Sequence, residues 1–321
     1  MSPDWRPTAG IEALRLRARM LQGVRGFFAG RGVLEVQTPI LSAAAITEPQ
    51  IESLRTQVAG RQGPYFLNTS PEFAMKRLLA AGSGDIYQLS RVFRDGEIGR
   101  WHEPEFTMLE WYREGFDDHR LMDEVAELVA SVLAPVRSLQ PAERMTYRQA
   151  LLRHAHVDID SAGLEELATA ARALGIDCRG ELDRDARLDL LMSLAVGPKL
   201  GRDRPTFVYD YPASQAALAR LKPQQPPVAA RFELYLDGIE LANGFHELTD
   251  AYEQRARFER ENDLRAARGQ RQLPLDEHLL SALQAGVPDC AGVALGFDRL
   301  VAVAMRADGL LQACSFGLDN A

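Results

Sequence analysis

The chain has 321 residues, of which 46% are hydrophobic and 26% charged, and its formal net charge is −8. That balance fits a soluble globular protein with room for one large core or two ordinary domains. It carries no strongly basic footprint of a nucleic-acid module, although a local basic patch can bind RNA on an acidic chain.

Cys178, Cys290 and Cys314 stand far apart without paired spacing, which speaks against metal clusters and disulfides and for a reducing cytoplasm. The opening MSPDWRPTAG lacks a basic region followed by an apolar run, so it is no secretory signal. No stretch reaches the roughly eighteen apolar residues that span a bilayer.

In chain order, Ile11, Leu14, Ala18, Leu21, Val24 and Phe28 recur at three- and four-residue steps, which predicts an amphipathic helix over 11–29. A short strand, Val33 to Thr38, stops at Pro39. Residues 70–81 read as a helix with Ser70 as N-cap, Pro71 in the first position and Glu72 in the first turn. Strands at 86–94 and 105–112 flank the polar loop DGEIGRWHEP. Leu- and Ala-rich segments at about 118–200, broken near Pro135, Pro141 and Gly180, predict a helical insertion. Sheet signals return at Thr206–Tyr211, Phe232–Leu236 and Ile239–Ala242. The Pro/Gln run at 222–228 reads as a surface loop, and a last strand, Gly292–Phe297, feeds a helix from Asp298. This irregular order predicts an α+β fold with an antiparallel sheet. Neither a Walker-type phosphate loop nor a dinucleotide fingerprint occurs.

Three segments carry chemistry. In RFELYLDGIELANGFHEL (231–248), Asp237-Gly238 is a strong hairpin signal. It sets Leu236 opposite Ile239 and Tyr235 opposite Glu240, so Glu233, Tyr235 and Glu240 share a face. Two neighbouring carboxylates suit magnesium completed by substrate phosphates; a solvated outer face presents the same pattern. In IYQLSRVFRDGEIGRWHEPEFTMLEWY (86–112), Gln88, Ser90, Val92 and Arg94 share one face, and Phe106, Met108, Glu110 and Tyr112 share another. Arg94 beside a loop carrying Arg100, His102 and Glu103 suits a triphosphate, and Phe106 suits stacking on a base; a charged hairpin tip with Phe106 in the core is the other reading. In GVALGFDRL (292–300), the small residues Gly292, Ala294 and Gly296 alternate onto one face, as where a ligand or another backbone approaches closely. Arg299 in the next helix's first turn opposes the dipole and needs an anion. Tight strand–helix packing is the alternative. Glu72 and Glu247, each alone a plausible surface acid, could join Tyr112 in a pocket for an alkyl ammonium group.

Taken together and in this order, with SPEFAMKRLL, HEPEFTMLEWY and GIELANGFHELTDA, these segments resemble the three motifs of class II aminoacyl-tRNA synthetases, and the lysyl enzymes in particular. The resemblance covers nearly the whole chain. About ten residues precede the first motif helix, where lysyl-tRNA synthetases carry an anticodon-binding domain. The chain is therefore most similar to the elongation factor P–(R)-β-lysine ligase family, a lysyl-tRNA synthetase-like class II paralogue.

The resemblance implies a single catalytic domain over 1–321 with the insertion at about 118–200 and no anticodon domain, built on a six-stranded antiparallel sheet flanked by helices. It implies ATP and Mg2+, a lysine or β-lysine substrate, elongation factor P as acceptor rather than tRNA, and a cytoplasmic homodimer joined through residues 11–39. It assigns Arg94 and Arg299 to catalysis. ATP contacts fall to Arg94, Asp95, Glu97, Arg100, His102, Glu103, Phe106, Glu240, Leu241, Gly296 and Arg299. Substrate contacts fall to Ser70, Pro71, Glu72, Tyr112, Asn243, Glu247 and Ala294, and metal ligation to Glu233 and Glu240. One departure stands out: where the family has Arg-Asn-Glu, this chain has Arg94-Asp95-Gly96, with Glu97 one residue further on. A truncated lysyl-type enzyme charging tRNA or another small acceptor, an asparagine-synthetase-like paralogue and a non-catalytic binding module are the alternatives. The last would be expected to have lost Arg94, Arg299 or the Glu233/Glu240 pair.

Overall fold

The computed structural model describes residues 5–321 apart from positions 179, 181 and 203. In chain order, α1 (Ile11–Ala29) precedes β1 (Leu34–Glu35), β2 (Leu41–Ser42), β3 (Arg55–Thr56) and β4 (Tyr65–Leu67), and α2 (Glu72–Ala80) leads into β5 (Ile86–Phe93) and β6 (Glu105–Glu114). There follow α3 (Asp118–Leu133), β7 (Glu143–Thr146), α4 (Tyr147–Ala155), α5 (Leu164–Ala173), α6 (Arg184–Leu191), β8 (Thr206–Pro212), β9 (Leu221–Lys222), β10 (Val228–Leu236) and β11 (Ile239–His246). The chain closes with α7 (Ala251–Ala267), α8 (Glu277–Gly286), β12 (Cys290–Gly296) and α9 (Phe297–Met305). It divides into two compact units, one running to Phe116 and resuming at Leu248–Ala321, the other spanning Asp117–Glu247.

In the first unit the strand order is β1-β5-β6-β12; β1 runs parallel to β5 and the other pairs are antiparallel. Side-chain alternation gives this ladder two different faces. On one, the Tyr87 ring stacks on Phe28 of α1 at 4.3 Å, and the fully buried Trp111 meets Phe28 edge-on at 5.4 Å. On the other, Gln88 pairs with Glu110 and Glu110 with Ala294 across three strands. The α1 stripe is rotated from the expected one: Ala13, Met20, Val24, Phe27 and Phe28 are buried, while Ile11 and Ala18 are exposed. A separate small sheet has the order β2-β4-β3.

In the second unit the order is β11-β10-β8-β7, with β9 also on β10 and β7 parallel to β8. Tyr147, Leu151, Leu188, Leu191 and Tyr211 pack in its core.

The expected count of six strands is corrected to four in the first unit's main sheet and five in the second unit. Beyond the six are β1, β7 and β9, two to four residues long; β7 and β9 are too short for a period-two pattern to register. The strand expected over 33–38 shrinks to β1. The stretch expected to be helical holds α3 to α6 but also β7.

Asp298 ties α1, β6 and α9 together. It is 1% exposed, accepts the Thr107 amide at 2.8 Å on Oδ2, and holds Arg17 Nη1 at 2.5 Å from Oδ1. Removing one partner of a buried ion pair strands the other's charge. Asp298→Asn should therefore lower stability by about 3 kcal/mol, read as a lower urea midpoint. An unchanged midpoint would show that the pair contributes nothing.

Candidate active site

The loop between β5 and β6 is built around a tight turn. Gly96 has φ +77°, a left-handed conformation that costs glycine little. The turn brings Glu97 back to within 3.5 Å of Arg94 Nη1. Glu97, one residue beyond the position where the family has its glutamate, thus meets Arg94 itself. The Arg94 guanidinium lies 5.2 Å from the Phe106 ring centroid, and its buried Nε has no hydrogen-bond partner. The Asp95 amide donates to the Glu52 carbonyl at 2.8 Å, which anchors the start of the loop.

Further along, Gly99 and His102 form an isolated bridge. Arg299 reaches this loop from α9: its Nε donates to the Trp101 carbonyl at 3.1 Å, and its Nη2 lies 2.8 Å from His102 Nε2. A guanidinium only donates, so His102 accepts on Nε2 and carries its proton on Nδ1. Burial, then the Arg299 charge, lower the His102 pKa below its ordinary 6.5. Gly296 leaves room beside Arg299, whose Cδ would lie 3.5 Å from an added Cβ.

Not every predicted triphosphate residue joins this group. Arg100 Nε donates to the Asp308 carbonyl, and Glu103 Oε2 accepts the Leu318 amide at 3.2 Å. Both are engaged with the C-terminal segment.

The expected amino-acid pocket holds a residue that the sequence reading passed over. The N-cap of α2 is Pro71 and not the expected Ser70; Ser70 Oγ, one residue earlier, accepts the Glu72 amide at 2.9 Å, and its hydroxyl donates to Glu110 Oε2 at 2.8 Å. The Tyr112 hydroxyl donates to Glu110 Oε1 at 2.7 Å. Glu110 is 2% exposed: a buried carboxylate framed by two hydroxyls. The signal was present, because Glu110 alternates with Met108 and Tyr112. What the sequence lacked was the register placing it opposite Ala294 and beside Ser70. Glu72, expected to meet a substrate ammonium, instead pairs with Lys76 at 2.7 Å, one turn along the same helix, with both side chains largely buried. Ser70, Pro71 and Glu72 also border a cavity of about 100 Å3.

In the second unit the hairpin pairs Tyr235 with Glu240 as expected, but Leu241 is the extra residue of a β-bulge. Asn243 therefore lies opposite Glu233 instead of on the other face. The Leu241 side chain is buried. Glu233 accepts from Arg231 Nη2 and from the Tyr235 hydroxyl, each at 2.6 Å, and Arg231 Nε reaches Asn243 Oδ1 at 3.3 Å. Burial, then Glu233 and Glu240, push the Tyr235 pKa well above its ordinary value, so the phenol stays a donor. Glu233 and Glu240 offer hard carboxylate oxygens of the kind a divalent cation takes, but both Glu233 oxygens are engaged here, by the Arg231 guanidinium and the Tyr235 hydroxyl, so a cation on this pair would displace those contacts. Among the described residues no cluster of three or more His, Cys, Asp or Glu forms a complete protein cage. Glu247 is 1% exposed, and its carbonyl accepts Arg220 Nε at 3.1 Å.

Residues 4–320 match the family model of class II tRNA synthetases (D, K and N). The chain belongs to this family. It is 50% identical to the elongation factor P–(R)-β-lysine ligase of Salmonella arizonae, over 99% of this chain and 98% of that protein. It is 51% identical to the proteins of that name from Salmonella typhi (99% and 98% covered) and Vibrio parahaemolyticus (98% and 98%). The chain is accordingly an ATP-dependent ligase of the class II synthetase type.

The lowered His102 pKa has a definite sign. On acidification the unfolded histidine takes up its proton first, so the stabilisation from this contact is complete above pH 6.5 and is lost as the pH falls towards the folded value. NMR titration of His102 should give a midpoint below 6.5, and Arg299→Met should raise it. A midpoint unmoved by that substitution would show that the two side chains do not interact in solution.

Proposed function

We propose that the chain activates (R)-β-lysine as its adenylate and transfers it to a lysine side chain of elongation factor P. The shared length and the roughly 50% identity with ligases of that name support the reaction. The observation that carries the substrate class is the buried Glu110 carboxylate between Ser70 and Tyr112. A desolvated carboxylate favours a cationic ligand, here the substrate's side-chain ammonium.

In this reading the substrate carboxylate attacks the α-phosphorus of ATP in line, and pyrophosphate leaves. The acceptor amine then attacks the acyl carbon, AMP leaves and the amine proton goes to solvent. Arg94 and Arg299 hold the phosphates and stabilise the charge that develops on them. Phe106, beneath the Arg94 guanidinium, stacks on adenine, and Asn243 contacts the carboxylate side of the substrate. Glu72 adds to the acidic surroundings of the ammonium, with Lys76 offsetting part of its charge; the buried Glu247 of the second unit keeps the substrate role that the resemblance gives it. Mg2+ would be held by Glu233 and Glu240 and would neutralise phosphate charge.

We place the ligase in the cytoplasm, where Cys178, Cys290 and Cys314 remain free thiols. Among the described residues no helix is long and apolar enough to cross a membrane. We further propose a homodimer through residues 11–39, where Ile11 and Leu34 are exposed. Light scattering at micromolar concentration should report twice the chain mass, and a monomer would contradict this.

The enzyme should catalyse pyrophosphate–ATP exchange that depends on β-lysine and needs no tRNA. Absence of exchange with every lysine isomer would overturn the reading. In the same assay Ala294→Gly should raise the efficiency with α-lysine relative to β-lysine by about ten- to a hundredfold, the range one methyl can supply. In this reading the methyl crowds an α-amine and tolerates a β-amine; an unchanged ratio would leave Ala294 as packing alone.

A further inference from the structure

The two faces of β5 differ in how their polar atoms are satisfied. On the face towards α1, the Tyr87 hydroxyl donates to Glu35 at 2.8 Å. On the opposite face, the buried Gln88 Oε1 and Ser90 Oγ have no hydrogen-bond partner, nor does Arg94 Nε just beyond the strand end. A buried polar group without a partner costs about 1–3 kcal/mol, so unsatisfied atoms along one face mark where a ligand completes the structure. Arg94 already has a role in the proposed reaction. Gln88 has none, although it is 2% exposed and among the most enclosed polar residues of the first unit.

Register fixes what Gln88 can meet. It lies directly opposite Glu110, and Ala294 lies opposite Glu110 from the other side. The row therefore reads amide, carboxylate, methyl across three strands, with neighbouring Cβ atoms about 5 Å apart. Beside a buried carboxylate the potential is negative, so the group that satisfies the amide oxygen is a cationic N–H donor. An anionic group would meet Glu110. An ammonium has three N–H bonds and needs three acceptors. A second carboxylate at position 88 would leave a net buried negative charge once one ammonium had bound, whereas an amide accepts without adding charge. Rotating the amide by 180° exchanges its oxygen and nitrogen but still leaves a buried polar end to be satisfied.

We infer that Gln88 is a specificity-determining residue whose Oε1 accepts one N–H of the substrate's side-chain ammonium, alongside the Glu110 carboxylate. The side-chain ammonium is chosen over the second amine because Gln88 flanks Glu110 on the side away from Ala294, where the proposed function places the second amine. The inference rests on that functional reading and adds to it a neutral acceptor in the ammonium site.

Calorimetry in the presence of a non-hydrolysable ATP analogue tests it with three ligands: β-lysine, 6-aminohexanoate, which keeps only the terminal amine, and 3-aminohexanoate, which keeps only the β-amine. Gln88→Met preserves volume and removes the acceptor. It should raise the Kd for β-lysine and for 6-aminohexanoate by about ten- to a hundredfold, the worth of a hydrogen bond to a charged group. The Kd values for the ATP analogue and for 3-aminohexanoate should stay within about twofold, the margin allowed for no effect on this scale. Gln88→Glu, which keeps an acceptor, should retain most of the affinity for both terminal amines. The inference is overturned if Gln88→Met leaves β-lysine binding unchanged, if all ligands weaken together, or if only β-lysine weakens while 6-aminohexanoate does not. The last result would move the contact to the second amine. A wild-type enzyme that neither binds β-lysine nor exchanges pyrophosphate would instead defeat the functional reading, and the Gln88 inference with it.

Discussion

Asp298 lies in the first turn of α9, almost wholly buried, and its two oxygens take the Arg17 guanidinium of α1 and the Thr107 amide of β6. A carboxylate so placed is expensive to desolvate and holds its position only while both partners are present. That requirement fixes α9 against β6 and α1 simultaneously. The next residue is Arg299, whose reach to the Trp101 carbonyl and His102 depends on where α9 starts. An ion pair with no contact to the reacting atoms in the proposed mechanism thus sets the aim of a guanidinium that has one.

The ladder β5-β6-β12 divides two kinds of chemistry by alternation. Phe28, Tyr87 and Trp111 close one side with aromatic contacts, which gives stiffness and excludes water. Gln88, Glu110 and Ala294 line the other. Burying polar groups costs free energy that the aromatic face offsets. The same unit compensates its remaining buried charge locally: Lys76 pairs with Glu72 on α2, and the fully buried Arg265 of α7 pairs with Glu52. Glu52 also supplies the carbonyl that receives the Asp95 amide, so this second pair steadies the loop carrying Arg94.

Much of this was legible in one dimension. The span of α1 and, within a residue or two, those of β5 and β6 followed from the sequence pattern, while β12 begins two residues earlier than expected, at Cys290, and ends at Gly296. The Asp237-Gly238 turn fixed the pairing of Tyr235 with Glu240. Strings shared with a synthetase family pointed to the reaction. The sequence did not reveal β7 and β9, which are too short to show a period, nor that Leu241 would bulge. A single extra residue turns every side chain beyond it to the other face, and so Asn243 came to lie opposite Glu233.

The sequence by itself determined which residues could carry charge, where strands alternate and which family the chain resembles, because these are properties of residue type and spacing. Only the tertiary structure decided who meets whom. It gave Glu72 a lysine of its own, tied Arg100 and Glu103 to the C-terminal segment, and made Glu110 the buried carboxylate between Ser70 and Tyr112. Those outcomes depend on strand register and on helix position across long separations in the chain. A local pattern carries no information about which distant group will be present to neutralise a charge.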